Sequence, residues 1–307
     1  MIRFLNLNKS IVNIFLILII IIFSGCTQVE NQDSTNINIK EDINKIKKEY
    51  ESKFVELEKK YDVKLGVCAI DLNSNIEINY NADDRYPYCS TSKALAAAAV
   101  LEQYKLEDLE EIIKYKQEDL VSYSPITKDY VDSGMSIEDV CSAAVRFSDN
   151  TAGNILFNLI GGPNGFKLSL EKIGDKFTKP YRIEPELNNY EPGGLKDTSS
   201  PRQLALDLKE YTTGDTLTEE KKQILIDWMS GNATGDKLIR LEAPKDWIVA
   251  DKSGAGAYGS RNDLAIVMPK NKKPIIIAIM SIKEKKEAKF SNEAVSDAAK
   301  VIFECLD

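Results

Sequence analysis

Apolar positions change rhythm several times along the chain. Residues 11–23 are almost unbroken apolar, and residues 27–40, "TQVENQDSTNINIK", are polar without a period, which reads as a flexible tether. From 42 to 61, Ile43, Ile46, Phe54, Val55 and Leu57 recur among charged residues, the spacing of an amphipathic helix. "VKLGVCAIDL" and "NIEINYN" then read as strands joined by a turn near residues 73–75. The stretch from 90 to 227 reads mostly as helices with several loops. Three strand-like runs follow, "WIVADKSG", "LAIVMP" and "PIIIAIMSI", and a helix over 292–305 closes the chain. No internal repeat is visible. Because both ends carry the sheet material, the pattern predicts an α+β fold: one five-stranded antiparallel sheet flanked by terminal helices. The sheet lobe would span about 42–87 and 230–307, with a helical domain of about 88–229 inserted into it. A site at the cleft between the lobes is the first expectation.

The first residues add a targeting signal. Arg3 and Lys9 precede the apolar run, and "FSGC" ends it at Cys26. A basic start, an apolar run and small residues before a cysteine read as a signal peptide over 1–25. It resembles a bacterial lipoprotein signal, except that Phe23 stands where an aliphatic residue is usual. The resemblance implies that Cys26 is lipidated and that 26–41 tethers a domain facing outside the cytoplasmic membrane.

Composition then excludes whole chemistries. The net charge is -8, so no nucleic-acid partner is expected. The chain has no histidine, which rules out a Ser-His-Asp triad, a Cys-His pair and a His-ligated zinc site. The five cysteines form no CxxC pair, so neither a structural metal nor a cofactor is implied.

"YCSTSKALAAAAV" carries Ser90 three residues before Lys93, at the start of an alanine-rich helix where both share one face. A serine hydroxyl needs a base, and without histidine the candidates are lysine and carboxylates. Lys93 can accept a proton only if burial or a second cation depresses its pKa. Three further stretches follow in order: "SDN" at 148–150, "EPELN" at 184–188 in a loop rich in Pro, Asn and Gly, and "KSG" at 252–254 ending a strand.

This set resembles the class A serine β-lactamases, for which S-x-x-K, S-D-N and a K-T-G-like triplet are the known signature. Supporting stretches are "YSP" at 123–125, "TAGNILF" after the SDN, "DTSSP" at 197–201 and "GSRND" at 259–263. The resemblance runs from about residue 45 to the C-terminus and implies hydrolysis of a β-lactam ring through a serine acyl-enzyme, without a cofactor. It makes Ser90 the nucleophile, with its backbone N–H and that of Ala255 as the oxyanion hole. Lys93 would hydrogen-bond Ser90, and Ser148 would relay a proton to the leaving nitrogen. Asn150 would bind the substrate's side-chain amide. Lys252 and Ser253 would hold its carboxylate, with Arg261 as a further cation. Tyr123 would wall the cleft and Asp149 would brace its loop.

In the 182–197 loop, Glu184 would be the base for the deacylating water and Asn188 would help hold that water. Whether Lys93 or Glu184 activates Ser90 stays open at this point. Arg182 and Asp197 would pair across the loop neck, and the bond before Pro185 would be cis. Gly256 and Ala97 stand where some relatives carry disulfide partners for Cys89 and Cys141, so neither bridge is expected. Cys68, Cys141 and Cys305 read as buried free thiols. A penicillin-binding D-Ala-D-Ala peptidase shares the Ser, Lys, SDN and KSG parts but usually lacks "EPELN". A β-lactam sensor would be acylated without turnover. The expected partner is a small β-lactam, met by a monomer.

Overall fold

The computed structural model describes residues 47–306. The predicted signal segment, the tether, Cys26 and residues 42–46 of the predicted opening helix lie outside the described residues.

A helix over 47–61 (α1) leads into strands β1 (Lys64–Asp71) and β2 (Glu77–Tyr80). The helical region holds α2 (Ser92–Gln103), α3 (Ile137–Arg146), α4 (Asn150–Leu159), α5 (Gly162–Lys172), α6 (Pro201–Thr213) and α7 (Glu219–Ser230). Strands β3 (Ile248–Gly256), β4 (Ser260–Met268) and β5 (Ile275–Ile282) complete the sheet, and α8 (Asn292–Leu306) ends the chain. The strand order is β2-β1-β5-β4-β3, every pair antiparallel. The fold is therefore the α+β arrangement expected, with β3 on an edge facing the helical region. The second predicted strand is shorter than its apolar run, because Asn75 takes a left-handed turn just before it.

Helices cover the sheet on both faces, which is why β1, β3, β4 and β5 are buried along most of their length and why β1 and β5 are nearly continuous apolar runs rather than alternating ones. One face packs Val67, Ala69, Ile277 and Ile279 against Phe54 of α1 and Val295 and Ile302 of α8. The other face meets α6, whose Leu204, Ala205 and Leu208 join the large core shared with the helical region. Helix α6 falls inside the 88–229 stretch, yet it packs on β1, β4 and β5, so the two lobes share one core at this point.

Helix α2 is the axis of the helical region. Ten of its residues, Ser92 through Leu101, are buried, so it is apolar all round and surrounded by other helices. Its alanines suit this place: they favour helix and let neighbours approach closely. Cys68, Cys89 and Cys141 are buried free thiols. Cys305, expected to be buried, is only half-buried, because it sits in the last turn of α8 at the chain end.

Candidate active site

Four elements converge between the edge of the sheet and the helical region. Ser90 lies in a single 3-10 turn, Cys89–Thr91, that runs straight into α2. The preceding residue, Cys89, takes φ 49°, a left-handed kink that turns the chain sharply into the helix. Strand β3 passes directly over this turn. A methyl group at Gly254 would sit 3.1 Å from Tyr88 O and 3.3 Å from the Ser90 backbone N, so glycine allows the close approach. As an edge strand, β3 has alternate backbone amides free of the β4 ladder. Ala255, paired with Arg261 in that ladder, stands one residue beyond the crossing.

Lys93 is completely buried beneath Ser90. Its Nζ donates to Ser90 Oγ at 2.9 Å, Ser148 O at 3.0 Å and Asn150 Oδ1 at 2.6 Å. It also lies 2.7 Å from Glu184 Oε1. Gly153 on α4 makes room for it, since a methyl group there would press within 2.6 Å of Lys93 Cε. Burial pushes the Lys93 pKa down, and the Glu184 carboxylate pulls it back up. Ser90 Oγ in turn donates to Glu184 Oε1 at 3.2 Å.

Ser148 and Asn150 flank the join of α3 and α4. Ser148 is not part of either helix; it adopts φ 56°, and Asp149 caps α4 by accepting from Ala152 N. Asp149 also accepts from Ile126 N, Thr127 N and Thr127 Oγ1, so it braces the neighbouring loop. That loop carries Tyr123, 59% exposed, whose carbonyl accepts from Asn150 N at 2.9 Å.

The 182–197 loop closes the floor. Arg182 Nε meets Asp197 Oδ2 at 2.6 Å, and Asp197 Oδ1 accepts from Tyr181 N, Arg182 N and the Tyr88 hydroxyl. The Glu184–Pro185 bond is cis. Asn188 Nδ2 donates to Glu184 Oε2 at 2.5 Å. Glu184 is therefore gripped on both oxygens: Asn188 on one, Ser90 and Lys93 on the other.

Lys252 and Ser253 sit opposite on β3. Lys252 is fully buried, and burial, reinforced by nearby Lys93, lowers its pKa to about 7. Among the described residues its only donated bond is to Ser253 O, at 2.9 Å. Ser253 Oγ meets Thr234 Oγ1 at 2.6 Å. Arg261 is held by Asn292 Oδ1 at 2.8 Å and Thr234 O at 3.2 Å, against the Phe290 ring.

Lys93, Ser148, Asn150, Glu184 and Asn188 thus join Ser90 in one connected network, with Lys252, Ser253, Ala255 and Arg261 on or beside the strand that crosses it, Tyr123 beside Asn150, and Arg182 and Asp197 at the loop neck; Cys26 lies outside the described residues. Others went unnamed. Asn154 clamps Glu184 by accepting from its backbone N at 2.8 Å and donating to its O at 2.9 Å. Its spacing of four from Asn150 on the α4 pattern is a signal that was present in the chain. Thr234, Asn292, the buried pair Asn232 and Asp251 and the half-buried Arg240 behind Lys252 carry no such signal.

A buried serine, hydrogen-bonded to a lysine and a carboxylate and faced by a cationic β-strand edge, defines an acyl-serine hydrolase: a nucleophile, its proton acceptors, and an anion subsite for the substrate. Comparison with known proteins specifies which kind. The Beta-lactamase enzyme family matches residues 48–306. A curated β-lactamase of Bacillus subtilis (strain 168) is 50% identical over 283 residues, 92% of each chain. One of Bacillus amyloliquefaciens is 54% identical over 254 residues, 83% of each. The crystal structure of a class A β-lactamase from Clostridium kluyveri DSM 555 superposes with TM-score 0.83 at 61% identity, covering 84% of this chain and 98% of that one. The chain belongs to the β-lactamase enzyme family, as a class A member. It hydrolyses β-lactams through a serine acyl-enzyme.

Proposed function

We propose that Ser90 attacks the lactam carbonyl and that Glu184 serves as the base in both half-reactions. The observation that supports this is the direction of the hydrogen bonds. Ser90 Oγ accepts from Lys93 and donates to Glu184, so the proton it must lose already points at the carboxylate. Four oxygens surround Lys93 Nζ, and an ammonium has three protons to share among them. That shell favours the charged form, which holds Ser90 in place and stabilises its developing alkoxide. The tetrahedral oxyanion is met by the backbone N–H groups of Ser90 and Ala255. Ser148 hands its proton to the leaving nitrogen as the ring opens, and the proton that Glu184 took from Ser90 passes through Lys93, 2.7 Å from Glu184 Oε1, to Ser148, so that Glu184 is a carboxylate again. Glu184 and Asn188 then position and deprotonate the water that cleaves the Ser90 ester.

Lys252, Ser253 and Arg261 receive the substrate carboxylate, Asn150 binds its side-chain amide and Tyr123 walls the cleft. Removing Glu184 should slow both half-reactions, deacylation the more, because Lys93 still holds Ser90 while the water loses its base. In Glu184→Ala mixed with benzylpenicillin, intact-protein mass followed over time should show a stoichiometric, long-lived adduct on Ser90. The wild type should show little. General-base help is worth about 10²–10⁴ in rate, and deacylation should slow by that order. Normal turnover by this variant would remove Glu184 from the role.

The protein works as a monomer, outside the cytoplasmic membrane, held by lipid on Cys26. The support is the basic start, the apolar run and "FSGC"; none of the described helices is long and apolar enough to cross a membrane. Cys26→Ala should leave an unprocessed, unlipidated precursor on mass spectrometry. A native N-terminus well downstream of Cys26 in the unaltered protein would contradict the anchor.

A further inference from the structure

Two carboxyl groups outside the reaction are buried together where the 182–197 loop joins its flanking helices. Asp175 follows α5 and precedes the loop, while Asp207 lies in the second turn of α6, into which the loop leads. They are 2% and 1% exposed. Asp175 Oδ1 accepts from Phe177 N at 2.7 Å and Thr178 N at 2.9 Å. Asp207 Oδ1 accepts from Gln203 Nε2 at 2.8 Å. On each residue Oδ2 is buried without a partner among the described residues. Asp175 is the neighbouring charge that acts on Asp207, and it lies within hydrogen-bonding reach.

Two carboxylates this close and this dry cannot both ionise. One proton between the two unpartnered oxygens satisfies both at once. The surroundings say where it sits. Asp175 already accepts two backbone N–H bonds and lies near the Arg85 guanidinium. Asp207 has one neutral amide donor and no cation acting on it, so it carries the proton. Tyr211 and Glu210 further along α6, and Glu102 on α2, are the other titratable groups on this side. Lys172 is bound to Glu102 Oε1 at 3.2 Å.

The pair sits one step outside the loop neck. Thr178, whose N–H Asp175 holds, meets Ser199 hydroxyl to hydroxyl at 2.6 Å. Lys179 N donates to Thr198 O at 3.0 Å, and Arg85 ties Thr198 O to Phe177 O. Past this neck come Arg182, Asp197 and Glu184. We propose that Asp207 donates a shared proton to Asp175, and that this carboxylic acid–carboxylate bond fastens the two ends of the loop and positions Glu184. Asp175 and Asp207 are positioning residues; neither touches the reacting atoms.

Infrared spectroscopy reads the proton directly. The wild type minus Asp207→Asn difference at pH 7 should contain the carbonyl stretch of a buried carboxylic acid. Its absence overturns the proposal, whatever the kinetics. The position of the loop is read by deacylation. Asp207→Asn keeps a donor aimed at Asp175 and should deacylate at the wild-type rate. Asp207→Leu cannot donate and should deacylate roughly tenfold more slowly, the scale of one lost bond to a charged group, with acylation slowed as well because Glu184 serves both steps. Equal slowing of both variants, or of neither, overturns the positioning role. The kinetic half rests on Glu184 delivering the water, but the infrared half does not. If Glu184 lacks that role the band remains, and if the shared proton is wrong the Glu184→Ala adduct remains. Should Asp207→Leu fail to fold, the band and the Asp207→Asn rate still decide the matter. The pH dependence has a definite sign: burial beside Asp175 raises the Asp207 pKa on folding. Its contribution to stability is present in acid and declines as pH rises through the native value. Melting temperatures should therefore fall with pH more steeply in the wild type than in Asp207→Asn, and parallel curves would count against the shared proton.

Discussion

Lys93 and Lys252 are both fully buried, both face the cleft, and have opposite surroundings. Lys93 is ringed by Ser90 Oγ, Ser148 O, Asn150 Oδ1 and Glu184 Oε1, and leaves no proton to offer a substrate. Among the described residues Lys252 donates only to the carbonyl of Ser253. Burial lowers both pKa values, but the next-largest influence differs. For Lys93 it is Glu184, which opposes the lowering; for Lys252 it is Lys93 itself, which adds to it. Asp251 and Asp263 lie near enough to Lys252 to oppose that lowering. Asp251, however, is taken up by Arg240 Nη2 at 2.5 Å and by Asn232. The lesson is that burial alone assigns no role. One ammonium is consumed inside the protein to hold a nucleophile, and the other is left short of partners until an anion arrives.

The largest expected effect comes from deleting each amine in turn. Lys93→Met strips Ser90 of its donor and leaves Glu184 buried without a cation. Acylation by benzylpenicillin should fall by about 10²–10⁴, the range for positioned proton-transfer groups, and the melting temperature should drop. Lys252→Met should act on binding. One charge-assisted bond is lost, so KM should rise roughly 10–100-fold while kcat changes far less. Stopped-flow acylation and steady-state kinetics on the two variants separate the cases. If Lys252→Met loses kcat at unchanged KM, the two lysines do the same work and the contrast fails.

Much of this was legible in the chain, and the boundary is physical. The sheet is readable because strands buried on both faces must be apolar along their whole length, as in "PIIIAIMSI". The nucleophile, its lysine, Asn150, Glu184 and the KSG strand are readable because each role fixes a residue type at a short spacing. Asn154 is half readable: the helix face that carries Asn150 carries it too, but nothing local says that it clamps Glu184. Thr234, 19 residues before Ser253, and Asn292, 31 after Arg261, meet their partners only through the fold. The placement of α6 was missed for a related reason. Its polar and apolar positions define a buried face but not which layer that face meets. The left-handed backbone of Cys89 and Ser148 was invisible as well, because neither is the glycine that usually marks such a conformation.

The smallest effect is the sharpest test of the contrast, because it leaves every wild-type contact in place. Lys252 loses its charge as pH rises through about 7, since burial has lowered its pKa. The substrate carboxylate stays ionised across this range. Between pH 7 and 8 the charged fraction of such a lysine falls from about one half to about one tenth, so kcat/KM should drop about fivefold. That ratio reports the free enzyme, in which the anion is not yet present to hold the proton on. At saturation the bound carboxylate restores the charge, so kcat should move less. Arg261 stays cationic throughout, and the decline should level off rather than run to zero. Lys252→Arg is the control: its guanidinium does not titrate here, while Lys93 and Glu184 are untouched. A flat profile for that variant beside a falling one for the wild type assigns the titration to Lys252. Identical profiles would place it elsewhere, and a wild-type profile flat from pH 6.5 to 8.5 would mean that Lys252 holds its proton as firmly as Lys93.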